Sequence, residues 1–241
     1  MWGYSYAKVL QARYTYDKLD RLVREDNKQS CKTVLYSYDN NGNILSKREF
    51  AFTLKDTGLL EELDSADILY SYDDDRLLSY GEESFDYDEL GNPITYRGKA
   101  CEWEKGRQLV GYDGNAFEYD GLGRRISKNT TQYTYDSNGN LIKQSNGENT
   151  LEFVYDNKGV VGVTHIINSR TQKYFFRRNA QGDVIALLDN TGKVVVRYVY
   201  DVWGNHKAYD ENGSEITSAT HIGNLNPFRY RGYYYDTETK L

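Results

Sequence analysis

The side chains best suited to catalysis or metal binding in this sequence are three histidines, two cysteines and many acidic residues. A zinc site needs histidines or cysteines at short, fixed spacings, and His165, His206 and His221 do not occur at such spacings. Neither a nucleophile elbow nor a phosphate-binding loop occurs in the chain. His165 stands in the apolar stretch VGVTHIIN, which predicts a half-buried strand histidine. The sequence therefore indicates a protein that is not an enzyme and that needs no cofactor or metal.

The acidic residues recur in glycine-containing runs, of which DNNGN and DSNGN are the clearest. A calcium-binding EF-hand loop has glycine at its sixth position and glutamate at its twelfth, whereas Gly42 and Gly139 are fourth when counted from Asp39 and Asp136. A glycosidase needs two convergent carboxylates and not a dispersed series of them. The spacing therefore favours a structural role in turns, with calcium binding as the weaker alternative.

Tyrosine dominates the large side chains, with 24 tyrosines against 8 phenylalanines in 241 residues. A tyrosine can bury a large ring while its hydroxyl stays near water or a partner, so regularly spaced tyrosines can build a protein interior. We therefore expect a folded chain with a tyrosine-rich core.

The net charge of −6 argues against nucleic acid as a partner, because phosphate binding needs clustered lysine and arginine. The N-terminal stretch MWGYSYAKVL lacks the basic and then apolar pattern of a signal peptide. No apolar run approaches the length that a membrane span needs.

The two cysteines, Cys31 and Cys101, stand far apart and outside any motif. A disulfide-stabilised domain would carry more cysteines at closer spacing. We expect both to be free, buried thiols.

A Tyr-Asp pair recurs about every 20 residues along the chain. The pairs are Tyr16-Asp17, Tyr38-Asp39, Tyr72-Asp73, Tyr87-Asp88, Tyr119-Asp120, Tyr135-Asp136, Tyr155-Asp156 and Tyr200-Asp201. An aromatic residue stands two positions before each pair, namely Tyr14, Tyr36, Tyr70, Phe85, Phe117, Tyr133, Phe153 and Tyr198. Trp103-Glu104 and Phe176-Arg177 complete the series as degenerate units, which makes about ten. A period of this length is typical of a repeat array.

Each unit has the pattern of a β-hairpin. Aromatic residues at positions i and i+2 lie on the same face of a strand, and the residue between them is mostly polar. An Asp-x-x-Gly turn follows, in which the aspartate accepts backbone N–H groups and the glycine adopts a positive φ. The turns are Asp39 to Gly42, Asp88 to Gly91, Asp120 to Gly123, Asp136 to Gly139, Asp156 to Gly159 and Asp201 to Gly204, with further copies at Asp189 to Gly192 and Asp210 to Gly213. A second short strand closes the hairpin, so the sequence predicts an all-β array of antiparallel hairpins.

These Tyr-x-Tyr-Asp-x-x-Gly units resemble the YD repeats of the Rhs (rearrangement hot spot) family. The resemblance continues through NPITYRGKACEWEKGRQLVGY and NAQGDVIALLDNTGKVVVRYVYDVWGN, and it ends in NPFRYRGYYYDTETKL, which is similar to the start of the family's C-terminal core motif. Such proteins are large bacterial polymorphic toxins delivered outside the cell, with relatives among insecticidal toxin complexes and teneurins. The resemblance implies a β-sheet that spirals into a shell around a C-terminal toxin.

The resemblance also implies partners and a location. The partners are the remainder of the shell and its toxin cargo, and the location is secreted or at the cell surface. Residues 226–241 correspond to the start of the core motif, and the self-cleaving aspartates of some relatives lie beyond it, so no catalytic residue is carried over. Lys240 stands where the family usually has glycine, which changes the local turn.

We expect residues 1–241 to form one repeat region interrupted by an insertion at 54–69. In that insertion Leu59, Leu60 and Leu63 recur at helical spacing, which fits either a short helix or an irregular loop. The stretches MWGYSYAKVLQARYTY and FRYRGYYYD are expected to be the edges of the sheet, and we expect either association of copies through these edges or ordered capping by the flanking segments.

The alternative function is carbohydrate binding or adhesion, because tyrosine rings exposed on a sheet can stack on sugar rings. The same tyrosines are needed to form the core, which favours the structural role.

Overall fold

A computed structural model describes residues 12–56, 67–237 and 239–240 of the chain. Within these residues the fold is almost entirely antiparallel β-sheet, which confirms the predicted fold class. The chain divides into two compact units, one up to Asp86 and the other from Tyr87 onward.

The first unit carries a sheet of seven described strands in chain order. They are β1 (Ala12–Tyr16), β2 (Leu22–Asn27), β3 (Lys32–Tyr38), β4 (Ile44–Ala51), β5 (Ile68–Asp73), β6 (Arg76–Tyr80) and β7 (Glu83–Ser84). The predicted helix-or-loop stretch of the insertion lies at residues 57–66, outside the described residues.

The second unit carries a sheet of thirteen described strands, also in chain order. They are β8 (Thr95–Tyr96), β9 (Lys99–Glu104), β10 (Gln108–Tyr112), β11 (Asn115–Tyr119), β12 (Arg125–Lys128), β13 (Thr131–Tyr135), β14 (Leu141–Ser145), β15 (Asn149–Asp156), β16 (Gly159–Ile167), β17 (Arg170–Arg178), β18 (Val184–Leu188), β19 (Val194–Tyr200) and β20 (His206–Tyr209). A short helix, α1 (Ile222–Leu225), and a 3₁₀ turn (Tyr230–Gly232) follow the last strand.

Because every strand pairs with its neighbours in the chain, successive connections alternate between two margins of each sheet. The turns at Asp39, Asp120, Asp136 and Asp201 lie on one margin, which we call the aspartate margin. The connections between successive hairpins, such as Asp113–Gly114 and Asn129–Thr130, lie on the other, which we call the linker margin.

The core of the second unit lies between its sheet and the C-terminal segment, by which we mean residues 216–240. Leu151, Phe153 and Val196 on the sheet are buried, together with Ile222 and Phe228 on the segment. The Phe153 and Phe228 rings meet edge to face with centroids 4.8 Å apart. The segment therefore supplies part of the core of this unit.

The prediction that FRYRGYYYD forms an edge of the sheet is wrong. This stretch lies across the face of the sheet, where the Val184 amide donates to the Arg229 carbonyl at 2.9 Å and Tyr234 meets Tyr133 edge to face. The physical reason is its aromatic side chains, which gain more by covering the apolar sheet face than by extending a strand in water.

Sheet edges remain a predicted site of self-association. In the described residues β1 and β7 end the first sheet, and β8 and β20 end the second. The outer side of β20 is partly covered, because its Ala208 carbonyl accepts the Ile216 N–H at 2.8 Å. The outer backbone of the other end strands can pair with another chain, so we expect association that increases with protein concentration. Light scattering over a concentration series measures it, and a constant monomer mass throughout the series contradicts it. The N-terminal part of the predicted edge, residues 1–11, lies outside the described residues.

The cysteine prediction is partly wrong. Both thiols are free, but Cys31 is exposed and Cys101 is only half-buried. Cys31 lies in the tight turn between β2 and β3, where its backbone has a φ of 56°. A residue at the tip of such a turn projects away from the sheet, and that explains its exposure.

Candidate functional site

The repeated Asp-x-x-Gly turn is a closed network of hydrogen bonds, as the Asp136 turn shows. The Asp136 Oδ1 atom accepts the backbone N–H groups of Asn138 at 2.9 Å and Asn140 at 2.8 Å. Its Oδ2 atom accepts the side-chain amide of Asn140 at 2.9 Å. The Asp136 carbonyl also accepts the Gly139 N–H at 3.1 Å. The carboxylate is thus fully used in forming the turn.

The same pair of backbone N–H bonds to Oδ1 recurs in seven other turns. They begin at Asp17, Asp39, Asp88, Asp120, Asp189, Asp201 and Asp210. In several of them the fifth residue binds Oδ2 through an asparagine amide, as at Asn43, or an arginine guanidinium, as at Arg124. The sequence did not assign a role to this fifth position.

Four predicted units depart from this geometry, and in one of them, Trp103-Glu104, Glu104 pairs with Gln108 across a three-residue turn. Asp156 and Gly159 pair directly across a two-residue turn, and so do Asp73 and Arg76. In the degenerate unit Phe176-Arg177, the residue that accepts the backbone N–H groups of the turn is Asn179, which follows the pair. Its side-chain amide donates to Asp183 Oδ2 at 2.6 Å, so the amide and the carboxylate have exchanged places. The stretch NAQGD predicts this turn only if asparagine is accepted in place of aspartate at the first position of the turn.

The glycine of each turn lies at a positive φ, with values of 97° at Gly42, 80° at Gly91, 78° at Gly123, 85° at Gly139 and 88° at Gly204. Gly159, in its different turn, has a φ of 117°. In the Asp17 turn the equivalent position is Asp20, an exposed residue with a φ of 59°. An L side chain is disfavoured in this region, although aspartate tolerates it better than most residues do.

We expect opposite effects from two substitutions at this turn position. Gly139→Ala is expected to lower the free energy of unfolding by about 1–2 kcal/mol, the usual penalty for a side chain in left-handed backbone. No atom outside the adjacent residues lies within 4 Å of the position its Cβ would occupy, so steric contact adds nothing. Asp20→Gly is expected to raise the same free energy by up to about 1 kcal/mol, because it removes the strained side chain. Urea unfolding measures both, and two changes of the same sign contradict the assignment.

The turn aspartates also make the fold sensitive to acid. The Asn140 amide and the backbone N–H groups of the turn lower the pKa of Asp136 below its ordinary value of 3.8. A carboxyl whose pKa is lower in the folded state contributes stability above its unfolded pKa, and this contribution disappears as the pH falls through the folded pKa.

The matched variant is Asp136→Asn, which keeps the size of the side chain and removes its titrating group. At about pH 7 we expect it to be less stable than the parent, because two amide groups would then face each other at the Asn140 position. That difference in unfolding free energy should shrink as the pH falls through about 4, the unfolded pKa of aspartate. An equal difference at neutral and acidic pH, measured by urea unfolding, contradicts this assignment.

In six of the eight Tyr-Asp pairs the tyrosine links its unit to the preceding one through its hydroxyl group. The hydroxyls of Tyr38, Tyr72, Tyr119, Tyr135, Tyr155 and Tyr200 donate to the backbone carbonyls of Leu22, Ile44, Leu109, Arg125, Leu141 and Val184 at 2.6–3.1 Å. Each acceptor comes immediately before a register shift in its strand. A β-bulge disrupts the ladder locally, and the tyrosine of the next unit bonds to a carbonyl at that point.

These rings are half-buried rather than fully buried. Tyr38, Tyr72, Tyr87, Tyr119 and Tyr135 have intermediate exposure, as do Tyr155 and Tyr200, and Tyr16 on the edge strand is 56% exposed. Burial raises the pKa of Tyr155 to about 12, so its hydroxyl remains protonated and able to donate at neutral pH.

The aromatic residue two positions earlier is the one that fills the core. Tyr36, Phe85, Phe117, Tyr133, Phe153 and Tyr198 are all buried. In the units of Tyr38, Tyr119, Tyr135, Tyr155 and Tyr200 the two rings therefore differ in role, since the first packs in the core and the second joins units.

The C-terminal segment brings together charged residues that are distant in the chain. The Asp236 carboxylate is buried and binds both Arg125 and Lys128 on β12, the latter at 2.9 Å. Burial alone would lower the pKa of Arg125, but the adjacent Asp236 charge raises it. Nearby, Asp183 Oδ1 accepts the Arg231 backbone N–H at 2.8 Å. No local sequence pattern indicates these contacts, because they join residues that are 48 to 111 positions apart in the chain.

The remaining candidates for chemistry lie in structural positions. His165 is buried on β16, where its Nε2 atom lies 2.8 Å from Asn149 Oδ1, and burial lowers its pKa. Among the described residues, no group of three or more acidic, histidine or cysteine side chains is placed to hold a metal ion. In the same residues no helix is long and apolar enough to cross a membrane.

No protein-family model matches the chain. In sequence it is 31% identical over 240 residues to the tRNA3(Ser)-specific nuclease WapA of Bacillus spizizenii, and this alignment covers 94% of the chain and 9% of the relative. It is 31% identical over 238 residues to the tRNA nuclease WapA of Bacillus subtilis, with the same two coverages. The chain thus spans only 9% of the length of these relatives.

Among solved structures, the chain is similar to a chain of the TcdB2-TccC3-TEV crystal structure, with a TM-score of 0.60 and 15% identity over 95% of this chain and 13% of that one. A chain of the Photorhabdus luminescens Tc holotoxin pore, carrying a TccC3 variant, also gives a TM-score of 0.60, with 14% identity and the same coverages. At these identities the likeness shows a shared fold. The chain is therefore Rhs-like, with a fold found in Tc toxin chains and a sequence similar to a short part of the WapA nucleases.

Proposed function

We propose that this chain is a non-enzymatic stretch of shell wall within a larger, secreted or surface-delivered Rhs-type toxin. Its role is to enclose a C-terminal toxin and to help deliver it, and its partners are the rest of the shell and that cargo. The observation that carries the proposal is the extent of the match to the WapA nucleases. It covers nearly the whole of this chain but only their repeat part, and not the nuclease domain.

The repeat geometry supports a wall rather than a catalyst. The turn carboxylates bind their own backbone, and the tyrosine hydroxyls bind the preceding unit. Groups engaged in this way hold the sheet together and are not available for acid–base chemistry. Six units repeat the same tyrosine link to the preceding unit, which suits a wall that extends by adding units.

Protection of the cargo tests the proposal. The gene is expressed with the coding sequence on both sides of this stretch, and the purified protein is treated with a protease. We expect the toxin domain to resist cleavage while the repeat region is folded and to be digested rapidly when it is expressed alone. Equal digestion rates in the two forms, or flanking sequence that holds neither repeats nor a toxin, would overturn the proposal.

Carbohydrate binding is the alternative function, and one observation favours it. Tyr14 and Tyr16 on β1 share a strand face by alternation and are 44% and 56% exposed. Two rings so placed could stack on sugar units. A glycan array probed with the parent and with a Tyr14→Ala/Tyr16→Ala variant tests this, and the alternative requires binding that the double substitution abolishes.

A further inference from the structure

A cavity of about 380 Å³ in the second unit is lined by both ends of the sheet and by the C-terminal segment. Arg97 comes from the turn after β8, Trp203 and His206 from the last hairpin, and Arg229 and Lys240 from the segment. Its described lining includes three cationic side chains and no carboxylate. Its size is within the range of small-molecule sites in proteins.

Within the part of the chain that the structure describes, the Arg229 guanidinium has only neutral hydrogen-bond partners. The residue is 2% exposed, and its Nε and Nη2 atoms donate to the carbonyls of Asn226 at 2.9 Å and Asn224 at 2.7 Å. Its Nη1 atom donates to His206 Nε2. Among the described residues no carboxylate forms an ion pair with Arg229. A buried charge is costly unless it is paired, so an uncompensated guanidinium at a cavity is a binding feature that an anion would complete.

The groups around Arg229 orient its guanidinium without neutralising it. Its Cζ atom lies 4.7 Å from the centroid of the Tyr235 ring and 5.8 Å from that of Tyr198. Ring faces attract a cation through their quadrupole and carry no net charge. Burial and the adjacent guanidinium lower the pKa of His206 to about 4, so at neutral pH its Nε2 accepts from Arg229.

We propose that this cavity binds a small oxyanion, a carboxylate or a phosphate group, with Arg229 as the buried cation and Arg97 and Lys240 as exposed ones. The charges of arginine and lysine side chains attract the oxygens of either group, and their N–H groups can donate to them. The two exposed cations draw the anion toward the cavity. The site is separate from the proposed wall function, since the wall requires only the hairpins and their links.

Calorimetric titration of the intact chain with inorganic phosphate and, separately, with acetate tests the site and shows which oxyanion it prefers. We expect saturable binding at one site, and the double variant Arg97→Glu/Lys240→Glu should weaken it by about tenfold or more. Both residues are exposed, so the variant is expected to fold, and far-UV circular dichroism checks that it does. The matched control is Lys207→Glu, an exposed cation on β20 outside the cavity lining, which should change the affinity by less than about twofold.

Two results would overturn the proposal. One is the absence of saturable binding, or binding that the double variant does not weaken, which would mark an adventitious ion only. The other comes from Glu238, a carboxylate outside the described residues. If the parent does not bind either anion and Glu238→Gln does, the acid that completes the site belongs to the chain itself and no external ligand is needed.

Discussion

Phe153→Ala is expected to lower the free energy of unfolding by about 3–5 kcal/mol, the usual cost of deleting a buried phenylalanine ring. The Phe153 ring is 6% exposed and contacts Phe228, so its loss opens a cavity between the sheet and the C-terminal segment. Urea unfolding followed by far-UV circular dichroism measures the change.

The matched control is Phe175→Ala on the neighbouring β17, where the ring is 53% exposed. Its substitution should change the unfolding free energy by only about 0.5 kcal/mol. Equal effects of the two substitutions would contradict the assignment of the core to the face that the segment covers. A loss at Tyr135→Ala as large as that at Phe153 would show that the half-buried joining tyrosines are also core residues.

Asp236→Asn is expected to destabilise the second unit by about 3–5 kcal/mol, the usual result of removing one partner from a buried ion pair. The substitution leaves the partly buried cations of Arg125 and Lys128 beside each other without their shared anion. Glu215→Gln is the control, because it breaks an exposed pair with Lys207, and it should cost less than about 1 kcal/mol.

Hydrogen exchange locates the effect of Asp236→Asn. The amides of Val184 and Arg231 bond between the sheet and the segment, so both should exchange faster when the segment is loosened. The turn amide of Gly139, which bonds within its own hairpin, should exchange at an unchanged rate. A variant no less stable than Glu215→Gln, with unchanged exchange at Val184, would show that Asp236 does not hold the segment.

The sequence predicts the hairpins because each is specified within a few residues. Alternation places the two aromatic rings on one face, and Asp136 with Gly139 closes its turn through local bonds. The division of roles between Tyr133 and Tyr135 does not follow from alternation alone, because both rings lie on the same face. It depends on the bulge at the start of β12, which brings the Arg125 carbonyl to the Tyr135 hydroxyl.

The position of the C-terminal segment could not be predicted in the same way. Its contacts with Arg125 and Val184 join residues far apart in the chain, and no periodic pattern encodes them. Its aromatic residues suit an edge strand and a covering segment equally well as a sequence. The segment covers the sheet because the second sheet has an apolar face that would otherwise be exposed to water. That face forms only when the strands have paired, so the sequence of the segment does not reveal it.

The two margins of each sheet differ in how much change they can accept. At the aspartate margin most turns have one length, because the Asp-to-fifth-residue network closes only over that span. Connections at the linker margin range from two residues at Asn129–Thr130 to the long stretch between Ala51 and Ile68. A tag, a fluorophore or a foreign epitope should therefore be tolerated between Asn129 and Thr130 and disruptive between Ser137 and Asn138. The linker margin is accordingly the place where a protein of this design can acquire new loops without rebuilding its sheet.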